Sequence, residues 1–74
     1  MSNEQKQMKI LQHKILTSLN LDEIRLLLDQ LEMFGHKSLP YMSEILSISR
    51  NSDTVRTTNF CISRIKQRFE WLDS

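Results

Sequence analysis

The sequence predicts a small all-α domain of four helices, arranged as two antiparallel helical hairpins. Apolar residues recur at helical spacing, whereas strand-like alternation is sparse and the chain contains one valine. The only glycine, Gly35, and the only proline, Pro40, lie close together near the middle of the chain. A chain of 74 residues has room for one domain (1–74), and these two residues divide it into hairpins 3–34 and 38–72.

The first hairpin is predicted from two apolar stripes. The first helix runs from about Asn3 to Leu19, and the second opens at Asn20, whose spacing from Glu23 is that of a capping box. Gly35 provides a left-handed stop for the second helix. The expected core positions are Met8, Leu11, Ile15 and Leu19 in the first helix and Ile24, Leu27, Leu28, Leu31 and Phe34 in the second.

The second hairpin begins near Ser38, with Pro40 in the first turn of its helix, where a missing N–H is tolerated. Its stripe is Leu39, Met42, Ile45 and Leu46. A turn over 50–53 follows, with Ser52 or Asp53 as the next N-cap. The last helix is expected to reach Leu72 and to face the core with Val55, Asn59, Cys61, Ile62, Ile65, Phe69 and Leu72. Asn59 would then be a buried amide that needs a hydrogen-bond partner.

Composition argues against several classes of function. The single cysteine, Cys61, cannot form an internal disulfide, and with the distant His13 and His36 it makes a poor metal site. One glycine leaves no phosphate-binding glycine loop, and four short helices leave little room for a substrate pocket. We therefore expect no enzyme, no catalytic residues, no metal or other cofactor, and no small-molecule substrate.

The chain also lacks the usual signals for export and for membrane insertion. Met1–Gln7 is polar and charged, unlike the apolar part of a signal peptide. The longest apolar run, Leu26–Leu28, is far shorter than a membrane span. Together with a free cysteine, these features predict a soluble, cytoplasmic protein.

The second helix carries more apolar residues than one buried face requires. At about 100° per residue, Leu26 and Met33 project almost opposite to Ile24 and Leu31. Either this helix is sandwiched between neighbours, or Leu26 and Met33 form an exposed apolar patch.

The last helix also carries apolar residues outside its predicted buried face. Phe60 and Trp71 lie roughly opposite its core stripe, with Arg64 between them and Gln67 and Arg68 beside them. Aromatic residues and arginine are enriched at binding hot spots. Alternatively, the first helix folds back over this face, or the rings are exposed singly. The predicted partner-binding residues are Phe60, Arg64, Gln67, Arg68 and Trp71, extended by Leu26 and Met33, and the partner is another protein or a second copy in a homodimer.

Nucleic acid is the alternative partner. The last helix is locally basic because it carries Arg56, Arg64, Lys66 and Arg68, although the net charge of the chain is only +1. The alternative function is therefore a helix-turn-helix-like DNA-binding domain that uses the last helix.

Residues 35–65 resemble one HEAT-type helical repeat. The matching positions are Gly35, Leu39-Pro40, Asp53, Val55-Arg56, Ile62 and Ile65. The resemblance implies that residues 3–34 form a second, degenerate hairpin and that Asp53 and Arg56 tie neighbouring units together. The chain has no alanine where this family usually carries small residues in its second helix. Two units are fewer than solenoids normally need, which implies a minimal stack or completion by dimerisation.

A second resemblance is to helix-turn-helix domains of the LuxR type, which also contain four helices. It is carried by Met42-Ser43-Glu44, Leu46, Ile48-Ser49 and Thr54-Val55 ahead of a basic helix. The turn over 50–53 is wider than the tight turn of that motif. The resemblance implies a recognition helix in the last segment.

Overall fold

A computed structural model describes the backbone of residues 2–73 and the side chains of residues 2–68. The helices are α1 (Asn3–Thr17), α2 (Leu21–Glu32), α3 (Leu39–Ile48) and α4 (Ser52–Asp73), with a 3₁₀ turn, Gly35–Ser38, between α2 and α3. This architecture confirms the predicted all-α fold of four helices. The predictions for Phe69, Trp71 and Leu72 concern side chains outside the described part.

Asparagine side chains cap the N-termini of α2 and α4. Asn20 Oδ1 accepts hydrogen bonds from the second and third backbone N–H groups of α2, at 2.9 and 3.2 Å. Asn51 Oδ1 does the same for α4, at 2.9 and 3.4 Å. The N-cap of α4 is therefore Asn51, and the prediction of Ser52 or Asp53 was wrong by one or two residues. Asn51 is favoured because its amide oxygen reaches two otherwise unpaired donors.

The connection between the hairpins depends on Gly35. Its φ of +66° is the left-handed conformation that was predicted for it and that glycine adopts at little cost, but α2 has already ended at Glu32, with Met33 as its C-cap. The buried Ser38 hydroxyl donates to the Gly35 carbonyl at 2.6 Å and closes the 3₁₀ turn. Pro40 lies in the first turn of α3, where its missing N–H leaves no helical hydrogen bond unmade.

The two hairpins pack against each other so that their first helices, α1 and α3, are in contact, and so are their second helices, α2 and α4. The main packing contacts join α1 to α2, α3 to α4, α1 to α3 and α2 to α4. The core between them contains Met8, Ile15, Ile24, Leu27, Leu28, Leu31, Met42, Ile45, Cys61 and Ile65. All ten of these residues were predicted as core positions, so the hydrophobic stripes indicate correctly which residues pack in the core.

Leu19 is a correction to the predicted core. Helix α1 ends at Thr17, and Leu19 lies in the connection to α2 with 97% of its surface exposed. The extended backbone at Ser18 breaks the helical periodicity that would have directed Leu19 inward.

The structure also corrects the predicted inner face of α4. The buried positions are Thr54, Thr58, Cys61 and Ile65, and Asn59 is exposed. The buried face is thus rotated by less than one residue from the predicted stripe: Cys61 and Ile65 are buried as predicted, and Ile62 is half-buried against the core. Thr54 and Thr58 take inner positions, and Asn59 is not the buried amide that the sequence predicted.

The rotation leaves one buried hydroxyl without a partner. Thr58 is fully buried, and its Oγ1 makes no hydrogen bond in the described part of the chain. We expect Thr58→Val to raise the free energy of unfolding by about 1 kcal/mol, because valine keeps the shape and removes an unpaired polar atom. Urea denaturation measures the change. Thr57→Val is the control, since the Thr57 hydroxyl donates to the Asp53 carbonyl and should bring no such gain; equal gains at both positions would contradict the argument.

Candidate protein-binding surface

A carboxylate on α2 binds two arginines on α4. Glu32, at the last position of α2, accepts hydrogen bonds from Arg64 Nε at 3.2 Å and Arg64 Nη2 at 2.6 Å through Oε1. Its second oxygen, Oε2, accepts a hydrogen bond from Arg68 Nη2. Asp29, one turn earlier on α2, lies 3.8 Å from Arg64 Nη2. These residues form the Glu32 cluster, which fixes the outer edge of α4 against α2.

The cluster has a buried acid and exposed bases. The side chain of Glu32 is 11% exposed, whereas those of Arg64 and Arg68 are 54% and 63% exposed. Burial alone would raise the pKa of Glu32, but hydrogen bonds from Arg64 and Cys61 and the charges of both arginines hold that pKa below its ordinary value. The Glu32 hydrogen bond raises the pKa of Arg64. The carboxylate is therefore ionised at neutral pH.

Cys61 lies beneath this cluster. It is fully buried, as the sequence predicted, and its Sγ is 3.4 Å from Arg64 Nη2. Burial, reinforced by the neighbouring Glu32 carboxylate, raises the pKa of the Cys61 thiol to about 11. The thiol is thus protonated at neutral pH and packs as a small core residue.

The described members of the predicted α4 set, which lie along the α4 edge, are all exposed: Phe60, Arg64, Gln67 and Arg68. Phe60 is 63% exposed, so α1 does not cover it, and Gln67 is also exposed. Arg64, one turn after Phe60, reaches across to Glu32, as does Arg68. The side chain of Trp71 lies outside the described part. Arg64 and Arg68, two of the four basic residues named for α4, are therefore paired with the Glu32 carboxylate. This pairing weakens the electrostatic argument that α4 binds phosphate.

Leu26 and Met33 belong to a different side of α2. They are 63% and 85% exposed, which answers the question left open by the sequence: α2 is not sandwiched at these positions. Met33 lines an apolar groove shared with α1, where Ile10 is 54% exposed. The predicted partner-binding set is thus divided between the α4 edge and the α1–α2 groove.

Besides the threonines of α4, sequence reasoning missed the buried polar residues Gln12 and Glu32. Glu32 follows the core residue Leu28 by four positions, and Gln12 follows the core residue Met8 by the same interval, so each lies on a buried face. Gln12 Nε2 donates to the Tyr41 carbonyl at 3.0 Å and to a carboxylate oxygen of α3 at 2.7 Å, which ties α1 to α3. Helical spacing was the available signal for both.

The grooves in the described part of the chain are open to solvent. One groove of about 630 Å³ lies between α1 and α3, and an exposed ion pair of Lys37 with Glu4, at 2.9 Å, lies at its side. His13 lies on α1 and His36 in the 3₁₀ turn. Within the described residues, no three His, Cys, Asp or Glu side chains are grouped closely enough to hold a metal ion. Nor does that part of the chain contain a helix of the length and apolar character needed to cross a membrane.

Comparison with known proteins finds no matching protein family, curated protein or solved structure.

Proposed function

We propose that this chain is a small non-catalytic helical module that binds another protein through the edge of α4, in the cytoplasm. The proposed binding residues are Phe60, Arg64, Gln67, Arg68 and Trp71. The observation that carries the proposal is the exposed ring of Phe60, one turn from an arginine whose position is fixed by Glu32.

Arg64 and Arg68 favour binding of a partner protein because their side-chain conformational entropy is already reduced in the free chain. A free arginine loses rotamer freedom when a partner immobilises it, whereas Arg64 and Arg68 are held by Glu32 before binding. More than half of each arginine side chain remains exposed, so a partner can still accept hydrogen bonds from it. An apolar anchor beside pre-ordered arginines is a typical hot-spot arrangement.

The HEAT-like resemblance remains part of the proposal. Support comes from the packing of α1 on α3 and of α2 on α4, which places equivalent helices of the two hairpins next to each other. In a repeat array, the α4 edge would be a lateral surface, with Asp53 and Arg56 near the start of the helix. Both are exposed in this chain.

We expect Phe60→Ala to weaken binding of a protein partner about tenfold, because truncation removes an apolar anchor. Partners captured from a lysate by the immobilised chain are purified, and their affinity is measured by calorimetry against wild type and variant. Ile48→Ala is the matched control, since Ile48 is 58% exposed but lies at the end of α3.

Two outcomes contradict the proposal. One is that Phe60→Ala and Trp71→Ala bind every purified partner as tightly as wild type does. The other is that Ile48→Ala and Phe60→Ala weaken binding equally, which would place the contact elsewhere or indicate nonspecific adhesion.

A further inference from the structure

Three arginines and one phenylalanine form a single row on the surface of α4. Arg56, Phe60, Arg64 and Arg68 follow one another at intervals of four residues. Residues at this interval are neighbours on a helix surface, and they lie about 6 Å apart along the helix axis. All four side chains are exposed. We call them the arginine row, of which Phe60 is the apolar member.

Two members of the row already bind a carboxylate, and they have N–H donors left over. Glu32 accepts hydrogen bonds from Arg64 and Arg68, but each guanidinium carries more donors than these contacts use. Among the described residues, neither Nη1 of Arg64 nor Nε and Nη1 of Arg68 has a hydrogen-bond acceptor. The two arginine side chains are 54% and 63% exposed. A second acceptor can therefore approach these donors from solvent.

Arg56 is the unpaired base of the row. Within the part of the chain that the structure describes, it makes no hydrogen bond and no ion pair. Asp53 precedes it by three residues and is also exposed, but the two side chains are not paired. A carboxylate from a partner protein would be the first acceptor that Arg56 meets, and hydrogen bonds of this charged type are the strong ones.

The surroundings of the row favour separate carboxylates over a chain of phosphates. The three arginines are matched in number by three acids, Asp29, Glu32 and Asp53. Because the charges balance, no net field attracts a polyanion, and the acids repel a continuous phosphate backbone. The attraction that remains acts at short range. It comes from planar N–H forks at separate points, whose geometry matches that of single carboxylates.

The spacing of the row also fits a short extended segment. Side chains on one face of an extended chain recur at every second residue, about 7 Å apart, which is close to the interval of the row. A segment lying along the row would place acids against Arg56, Arg64 and Arg68 and an apolar side chain against Phe60.

We propose that the partner of the α4 edge contributes an acidic segment of this kind. At every second position it carries an acidic, an apolar, an acidic and a further acidic side chain, in that order along α4. The inference rests on the proposed function and deepens it by naming the chemistry of the partner.

The probe is a synthetic peptide with this alternating pattern, in which serine fills the positions between. Its affinity for the full chain is measured by fluorescence anisotropy, beside a control peptide in which amides replace all the acids. We expect the acidic peptide to bind at least about tenfold more tightly, because an amide forms no charge-assisted hydrogen bond with a guanidinium. Duplex DNA, measured in the same way, should bind more weakly than the acidic peptide.

Arg56→Gln tests the unpaired arginine without touching the Glu32 cluster. It should weaken binding of the acidic peptide about threefold to fivefold and leave binding of the amide peptide unchanged. Lys66→Gln is the matched control, because it removes the same charge from the same helix at a position about 120° around from Phe60. Its affinity for the acidic peptide should equal that of wild type.

The inference is overturned if neither peptide binds or if both bind equally. It is also overturned if Arg56→Gln and Lys66→Gln weaken binding to the same extent, or if duplex DNA binds more tightly than the acidic peptide and displaces it. Each of these results leaves the proposed function standing as long as Phe60→Ala weakens binding of a purified partner. The proposed function fails separately, when Phe60→Ala and Trp71→Ala have no effect on any purified partner.

Discussion

Leu28→Ala is expected to lower the free energy of unfolding by about 3 to 4 kcal/mol, which is the typical cost of truncating a fully buried leucine. Leu28 has no exposed surface and lies in α2, which packs on both α1 and α4. The loss includes the transfer free energy of the removed carbons and the cavity they leave. A domain of 74 residues has about 4 to 11 kcal/mol of stability in total, so this change removes a large share.

Leu26→Ala is the matched control because it makes the same substitution in the same helix. Leu26 is 63% exposed, and its truncation should change stability by less than about 0.5 kcal/mol. Helix propensity contributes equally at both positions, so the difference between the variants measures burial alone. Urea unfolding followed by circular dichroism gives both values. Similar losses at the two sites would show that the face of α2 toward the core is misassigned.

The contrast between these leucines also shows why the sequence was informative about α2. Its buried stripe and its cap at Asn20 are local features, and an apolar repeat at helical spacing defines the inner face directly. The same holds for Met42 and Ile45 in α3 and for Gly35, whose positive φ follows from its lack of a side chain.

The rotation of α4 was not predictable from periodicity. Threonine packs its methyl group inward or turns its hydroxyl outward, so Thr54 and Thr58 were ambiguous, while Asn59 happened to share a stripe with Val55 and Ile62. Packing against α2 and α3 decided that the buried face extends toward Thr54 and Thr58 and not toward Asn59. Tertiary contacts of this kind outweigh the local pattern.

For the candidate surface, the sequence predicted exposure better than it predicted contacts. Phe60, Leu26 and Met33 are exposed as the pattern indicated, but nothing local joins Glu32 to Arg64, which lies 32 positions later. DNA binding by α4 stays a prediction. If it occurs, affinity falls by roughly 0.9 log units per phosphate contact for each log unit of salt.

Removing the Glu32 carboxylate should have the second-largest effect on stability. We expect Glu32→Ala to lower the free energy of unfolding by about 2 to 3 kcal/mol, because it deletes the acceptor of three hydrogen bonds from arginine. The loss stays below that of a fully buried ion pair, since Arg64 and Arg68 are more than half exposed and water can solvate them. Asp29→Asn is the control. The Asp29 side chain is 68% exposed and lies 3.8 Å from Arg64, so this substitution should lower the free energy of unfolding by less than about 0.5 kcal/mol.

The pH dependence of stability tests the same contact without changing its shape. The pKa of Glu32 is lower in the folded chain than its ordinary value of 4.5, so its ionic contribution is complete above that ordinary pKa and disappears as pH falls through the folded one. The stability difference between wild type and Glu32→Gln should therefore be constant near neutral pH and shrink in acid. A difference that persisted unchanged through acid would mean that packing, rather than the charge of Glu32, holds α4 against α2. In that case Arg64 and Arg68 would not be pre-ordered for a partner, and the α4 edge would lose its main energetic advantage as a binding surface.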